Sequence, residues 1–420
     1  MAAKPEQKTA KPEQKTTDQE TGGRRPQLTK EQEDSVFQAA GRRVIAAVNN
    51  RPPEQLEQVL ADLAKEPLLG AFVSLKRSGQ LRSCCGFMGQ SVPLFQAIDQ
   101  AAFRAAMEDP RFPPISPSEI AHLEMEVWLL WGLQPVAAQG EDRVKAVVIG
   151  THGLQISRGT SRGLLLPGVA VENNFDAPTF LDQVCRKAGL PMDAWKSDDT
   201  TLMTFEGYAI SGTLGSIAAG AEQASPAAEP GPTAADVARL ADFCRQNLLL
   251  HYSGATPSLY MQDAFDGSVC GAALSVRFPG STENIDCSQL VMRPTLPLQS
   301  TLFELTKAAA AALRTRRVDP RAIQRVSVAL SIFLDPAMQG SVAKPDLAGV
   351  DPRSRAVVVL NQDKWAAAFD AKSTPEELLE RAVELSRLVD PAPATVLSLR
   401  TVTTDHGLTL TNVPRPNPGS

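Results

Sequence analysis

Four histidines and six cysteines in 420 residues leave little material for a metal centre. No HExxH, no CxxC pair and no clustered His/Asp spacing occurs, so a structural metal is not expected and a catalytic one would have to be assembled across the fold. There is also no GxGxxG opening a βαβ unit, no GxxxxGKS/T phosphate loop and no GxSxG elbow, which leaves nucleotide-dependent and serine-hydrolase mechanisms without direct support. No run approaches the roughly eighteen apolar residues that could cross a bilayer. No basic stretch is followed by an apolar run and a small-residue cleavage site. A cytoplasmic protein with no membrane partner is therefore expected, its cysteines free thiols rather than a disulfide framework. The 42 Lys and Arg against 47 Asp and Glu, a net charge of −5, exclude a broad electropositive surface for nucleic acid.

What is present is enough apolar residue, 43%, for packed cores, in a chain longer than one core usually holds. Residues 1–32 carry KPEQKT twice and no aromatic residue, and read as a disordered tail. An Ala/Pro/Gly/Glu-rich stretch at 214–233 reads as a linker, and 408–420 as a second loose end. Between them lie two units, 33–213 and 234–407. Glu33 to Ala47 has helical spacing, Ala71 to Lys76 alternates as a strand, Leu94 to Ala105 is an amphipathic helix, and Leu123 to Trp131 is a long strand. Val147 to Ile149 and Leu154 to Ile156 flank Gly150-Thr151-His152-Gly153 as a hairpin. The fold class implied is α/β (α+β), with mixed or antiparallel sheets and packed helices. The second half repeats the order: Gly271 to Arg277 echoes Gly70 to Lys76, an offset of 203 places Cys84 on Cys287 and Val127 on Leu330, and Arg355 to Leu360 parallels Arg162 to Pro167. A tandem duplication accounts for this.

Several residues could carry chemistry. In Leu81-Arg82-Ser83-Cys84-Cys85-Gly86 a thiol beside a guanidinium could be a nucleophile or soft metal ligand, or a small hydrophobe in a core. If the segment is extended, Arg82 and Cys84 share one face and Cys85 turns away. Asp109 and Arg111, between Met107 and Pro113, could clamp an anion or brace their own loop. Glu124 and Glu126 share a strand face, as a carboxylate pair or as ordinary exposed acids. His152, at a turn, could act as base or ligand.

These residues also carry a resemblance. LRSCCG at 81–86, EDPRFPPISPSEI at 108–120, GTHGLQI at 150–156, RGLLLPGVAVE at 162–172 and FLDQVCRKAGLPMDAW at 180–195 stand in the order of the AMMECR1 domain family, and residues 33–212 resemble it. The family includes protein A of the AmmeMemoRadiSam grouping. Its first motif, Leu-Arg-Gly-Cys-Ile-Gly, maps onto Arg82, Cys84 and Gly86, with Ser83 for the glycine and Cys85 for the isoleucine, so Cys84 is the candidate functional thiol. Gly168 stands where the family often has glutamine. The resemblance implies a cleft gathering Arg82, Cys84, Arg111, His152 and Arg162, and partners comprising a Memo-like protein and a radical S-adenosylmethionine protein. It points to no particular cofactor. The second half keeps the apolar framework without these signatures.

No complete set of nucleophile, base and orienting group is visible. The expected function is therefore a noncatalytic subunit or binding module, with a small anionic ligand or a partner segment held at these residues. The alternative is a modification or redox enzyme, with Cys84 as nucleophile or soft metal ligand and the arginines binding an anionic substrate.

Overall fold

The computed structural model describes residues 24–221, 231–281, 284–405 and 407–412. The first half comprises helices α1 (Lys30–Val48), α2 (Leu56–Leu60), α3 (Leu94–Met107), α4 (Pro167–Glu172), α5 (Ala177–Lys187) and α6 (Leu214–Ala221), with strands β1 (Pro67–Arg77), β2 (Gln80–Pro93), β3 (Leu123–Pro135), β4 (His152–Arg158), β5 (Ser161–Leu165) and β6 (Thr201–Thr213). The second comprises α7 (Ala234–Ser253), β7 (Ser268–Val269), β8 (Gly271–Arg277), β9 (Asn284–Leu290), β10 (Leu296–Pro297), α8 (Leu298–Thr315), α9 (Pro320–Ile323), β11 (Ser327–Ser341), β12 (Lys344–Pro345), β13 (Arg355–Asn361), β14 (Lys364–Asp370), α10 (Pro375–Ser386), β15 (Thr395–Thr403) and β16 (Gly407–Thr411).

Helix starts follow local chemistry. Thr29 caps α1 in a capping box with Gln32, which moves the start three residues ahead of the apolar spacing. Thr233 does the same for α7 with Asp236, and Asp176 accepts from the Thr179 N–H at the start of α5. The inward residues of β1 and β3, Ala71, Val73, Leu75, Met125, Val127 and Leu129, bury against α1 and α3.

The first sheet runs β2-β1-β3-β6-β4-β5 with antiparallel neighbours throughout. Traced from β9, the second runs β9-β8-β11-β15-β13-β14-β16, also antiparallel. Its first six strands repeat the order of the first sheet, and β16 is added at the edge. Strand pairing refines the sequence offsets. Val73 faces Cys85 and Leu274 faces Cys287, so Cys287 takes the place of Cys85. Ser74 faces Cys84 and Ser275 faces Asp286, so an aspartate stands where the first half has its candidate thiol. Arg355–Asn361 takes the place of β4, not of the Arg162 segment in β5.

Three boundaries and one turn differ from the sequence reading. Residues 24–32 belong to the first unit: Pro26 is buried, and Arg25 lies 5.4 Å from the Tyr208 ring centroid. Residues 214–221 form α6, with Leu214 and Ile217 buried, so a linker can begin only after it; 222–230, like 1–23 and 413–420, lie outside the described residues. Strand β16 buries Leu408 and Leu410, which extends the second unit to Asn412. Val147–Ile149 is not a strand. It follows a 3₁₀ turn at Gly140–Ala146, and the hairpin partner of β4 is β5.

The halves meet through partly buried polar contacts. Arg77 donates to the Asp346 carboxylate at 2.9 Å and to the carbonyls of Met338, Asp346 and Ala348. Arg293 donates to the carbonyls of Met107, Asp109 and Phe112, and Ser116 to the Asp335 carboxylate at 2.7 Å.

Candidate functional site

The hairpin of β1 and β2 turns through Ser78 and Gly79, both at positive φ, a tight turn matched to strand twist. Alternation then puts Phe72, Ser74 and Lys76 on the face away from α1 and α3, with Cys84 across from Ser74. Strand β3 adds Glu126 and Trp128 to that face. The loop after α3 brings Asp109 to Arg111, and residues 164–173 form the far wall. Together with Leu81 and Lys187 they enclose a cavity of about 640 Å³. On the equivalent side of the second sheet, Phe333, Trp365, Phe369, Leu397 and Leu399 pack into one apolar cluster.

Gly86 is needed by the hairpin itself, because a Cβ there would stand 2.1 Å from the Ala71 carbonyl oxygen. Gly168 accommodates the cavity wall: a Cβ would meet Trp128 at 2.8 Å.

The thiol of Cys84 lines the cavity. Desolvation pushes its pKa up; the Ser74 hydroxyl, Arg111 and Lys187 pull the other way without reversing the shift. Cys85 rises to about 11, chiefly through burial. Asp109 and Arg111 act as a brace on the Cys84 backbone. Asp109 accepts from the Cys84 N–H at 3.0 Å and from Arg111 at 2.7 and 2.9 Å, while Arg111 also donates to the Cys84 carbonyl at 3.2 Å. Burial opposes ionisation of Asp109, but these bonds outweigh it and hold its pKa far below the usual carboxylate range. Lys76 bridges Glu126 at 2.7 Å and Glu172 at 2.9 Å; burial disfavours its charge, but the two carboxylates raise its pKa.

Arg82 is not in the cavity. The register shifts between Leu75 and Lys76, leaving Arg82 as the extra residue of a β-bulge, so it does not share a face with Cys84. Its buried guanidinium pairs with Glu119 at 2.5 and 2.9 Å and donates to the carbonyls of Pro113 and Pro114. His152 is also elsewhere, its Nδ1 accepting from the Val148 N–H at 3.2 Å, which braces the turn before β4. Arg162 is exposed on β5 and does not line the cavity. Ser83 points to α3, donating to the Ala105 carbonyl at 2.6 Å, and so does not intrude on the ligand space. Of the expected five, Cys84 and Arg111 are brought together.

Sequence reasoning missed Lys76, Lys187, Phe72 and Trp128. Alternation along β1 carries the signal for the first and third, since they share the face of Ser74. Lys187 has none, because its approach depends on how α5 packs. Of the two acids on β3, Glu126 lines the cavity and Glu124 does not. Among the described residues no three His, Cys, Asp or Glu are placed to hold a metal ion, and no helix is long and apolar enough to cross a membrane.

A family model described as AMMECR1 matches residues 37–210. A Thermococcus gammatolerans protein is 40% identical over 168 residues, covering 39% of this chain and 77% of that protein. One from Methanothermobacter thermautotrophicus is 38% identical over 159 residues, covering 38% and 80%. The crystal structure of an uncharacterized Pyrococcus horikoshii protein is 32% identical with a TM-score of 0.41, covering 44% of this chain and 93% of that one.

Proposed function

The chain belongs to the AMMECR1 family, and on that footing we propose that its first domain is a noncatalytic binding module, a cytoplasmic subunit working with a Memo-like protein and a radical S-adenosylmethionine protein. Its cavity receives a small ligand or a short partner segment. The second domain is a divergent copy of the first whose corresponding face is filled.

The state of Cys84 carries this reading. A thiol nucleophile needs its thiolate populated near ambient pH, which takes positive charge and an adjacent base. Here desolvation dominates and the pKa is raised. Neither cation that acts on the thiol reverses this: Arg111 is paired with Asp109, and Lys187 is exposed, where solvent screens its charge; His152 does not line the cavity. An apolar-walled cavity with a few polar groups is suited to recognition.

Alkylation of the native chain across a pH series, followed by peptide mapping, tests the reading. Cys84 should react more slowly at neutral pH than a free thiol of pKa about 8.5, with its rate still rising above that pKa and Cys85 slower again. Fast reaction near neutrality with an inflection below that of a free thiol would instead support the enzyme. Isolation of the native complex checks the two partners.

A further inference from the structure

The charges in the cavity are unevenly spent. On the side of β1, β3 and the loop after α3, Lys76 is satisfied by Glu126 and Glu172, and Arg111 by Asp109. A second depression of about 380 Å³ adjoins the cavity: it shares Leu165, Val169, Asn173 and Lys187 with it and adds Phe175, Gln183 and Arg186. Arg186 and Lys187 make no ion pair among the described residues, and the Gln183 amide has no partner there either. The inner wall is apolar and aromatic, through Phe72, Trp128, Leu164 and Leu166. One side therefore offers an apolar and aromatic surface whose charges are already paired, and the α5 side offers two cations without an ion pair, Lys187 reaching both depressions, and an amide without a partner.

Resting on the binding-module reading, we propose that the two adjoining depressions act as one groove for an elongated organic acid: an apolar or aromatic body against Trp128 and Phe72, with an anionic end group held by Lys187, Arg186 and Gln183. A ligand with its anionic group at the inner end would have to displace Glu126 or Asp109 from pairs already made, which costs binding energy. A wholly neutral one would leave the outer cations unused. The size of the inner cavity lies within the roughly 300–1,000 Å³ of small-molecule sites. Because the outer cations are exposed, their attraction is screened by salt, and its contribution falls as ionic strength rises.

The probes are anilinonaphthalene sulfonate, which joins an aromatic body to an anion, and its uncharged analogue phenylnaphthylamine, each titrated by fluorescence against the full chain. Occupancy is located by protection of Cys84 from alkylation at alkaline pH. The sulfonate should bind about tenfold more tightly than the neutral analogue. The double variant Arg186→Gln/Lys187→Gln should remove that advantage, leave the neutral probe unchanged, and erase the salt dependence. Both substitutions are at exposed positions, and circular dichroism verifies folding. Leu164→Trp, which fills the inner cavity, should weaken both probes. If both probes protect Cys84 but bind alike in parent and double variant, the anionic end is wrong while the binding cavity stands. If neither protects Cys84 and Leu164→Trp changes nothing, the binding-module reading falls with it.

Discussion

Arg82 and Cys84 are two residues apart in the most recognisable motif of the chain, and they do different work. Cys84 was singled out by its motif and not by alternation: counted strictly from the Ser78-Gly79 turn it would stand opposite Val73 on the core face, and the bulge at Arg82 brings it opposite Ser74 instead. Neither residue could be placed from the sequence, because a β-bulge is invisible to a reading by strict alternation. Its guanidinium and the Glu119 carboxylate are 2% and 0% exposed, and the pair ties β2 to the Pro113-Pro114 segment. Replacing only Arg82 strands a buried carboxylate. Arg82→Met should cost about 3–5 kcal/mol in denaturant unfolding, and Arg82→Met/Glu119→Leu should recover most of it. A loss for the single variant under about 1 kcal/mol, the range of exposed pairs, would contradict the structural role and return Arg82 to the list of ligand-binding groups.

Long elements with a clear period were legible: α1, α3, β1 and β3 all lie where apolar spacing places them. Elements built from small residues were not. Helix α6, Leu-Gly-Ser-Ile-Ala-Ala-Gly-Ala, has the composition of a linker, yet its smallness is what lets it dock. It packs so close to α1 that a Cβ on Gly41 would stand 2.2 Å from Ile217 Cδ1, and so close to the 3₁₀ turn at Pro117–His122 that one on Gly215 would stand 2.8 Å from the Ala121 carbonyl oxygen. Composition reports how much apolar surface a segment has; contact depends on how near its backbone can come. The two readings separate experimentally. Ile217, 4% exposed, should lose about 2–5 kcal/mol of stability on Ile217→Ala if α6 is part of the first core. In a linker the same change would stay within about 0.5 kcal/mol, and urea unfolding decides between them. The same limit explains β16, where Leu408 and Leu410 are buried only because β14 supplies a partner edge.

At the scale of the whole molecule, the second domain is joined to the parts of the first that build the cavity. Arg293 holds the carbonyls of the loop bearing Asp109 and Arg111, and Asp335, itself held by Arg355 at 2.8 Å, accepts from Ser116 beside the Arg82–Glu119 pair. The contacts between the halves were not legible in the sequence, because partners more than 180 residues apart leave no local pattern. At the far end of the hairpin, Arg77, only 4% exposed, reaches into the second domain and meets Asp346. Burial disfavours ionisation of Asp346, but hydrogen bonds from Arg77 and Ser78 outweigh it and set its pKa at about 2, against roughly 3.9 in an unfolded chain. A carboxylate depressed by folding stabilises the native state fully above its unfolded pKa, and that contribution disappears as pH falls through the folded value. Nearly two units correspond to on the order of 2 kcal/mol. The stability difference between the parent and Asp346→Asn, from urea midpoints, should therefore be largest from pH about 6 down to about 4, then shrink towards zero near pH 2 as the parent protonates. A difference that stays constant over the whole range would mean that the contact is a neutral hydrogen bond, and the electrostatic tie between the two domains would have to be abandoned.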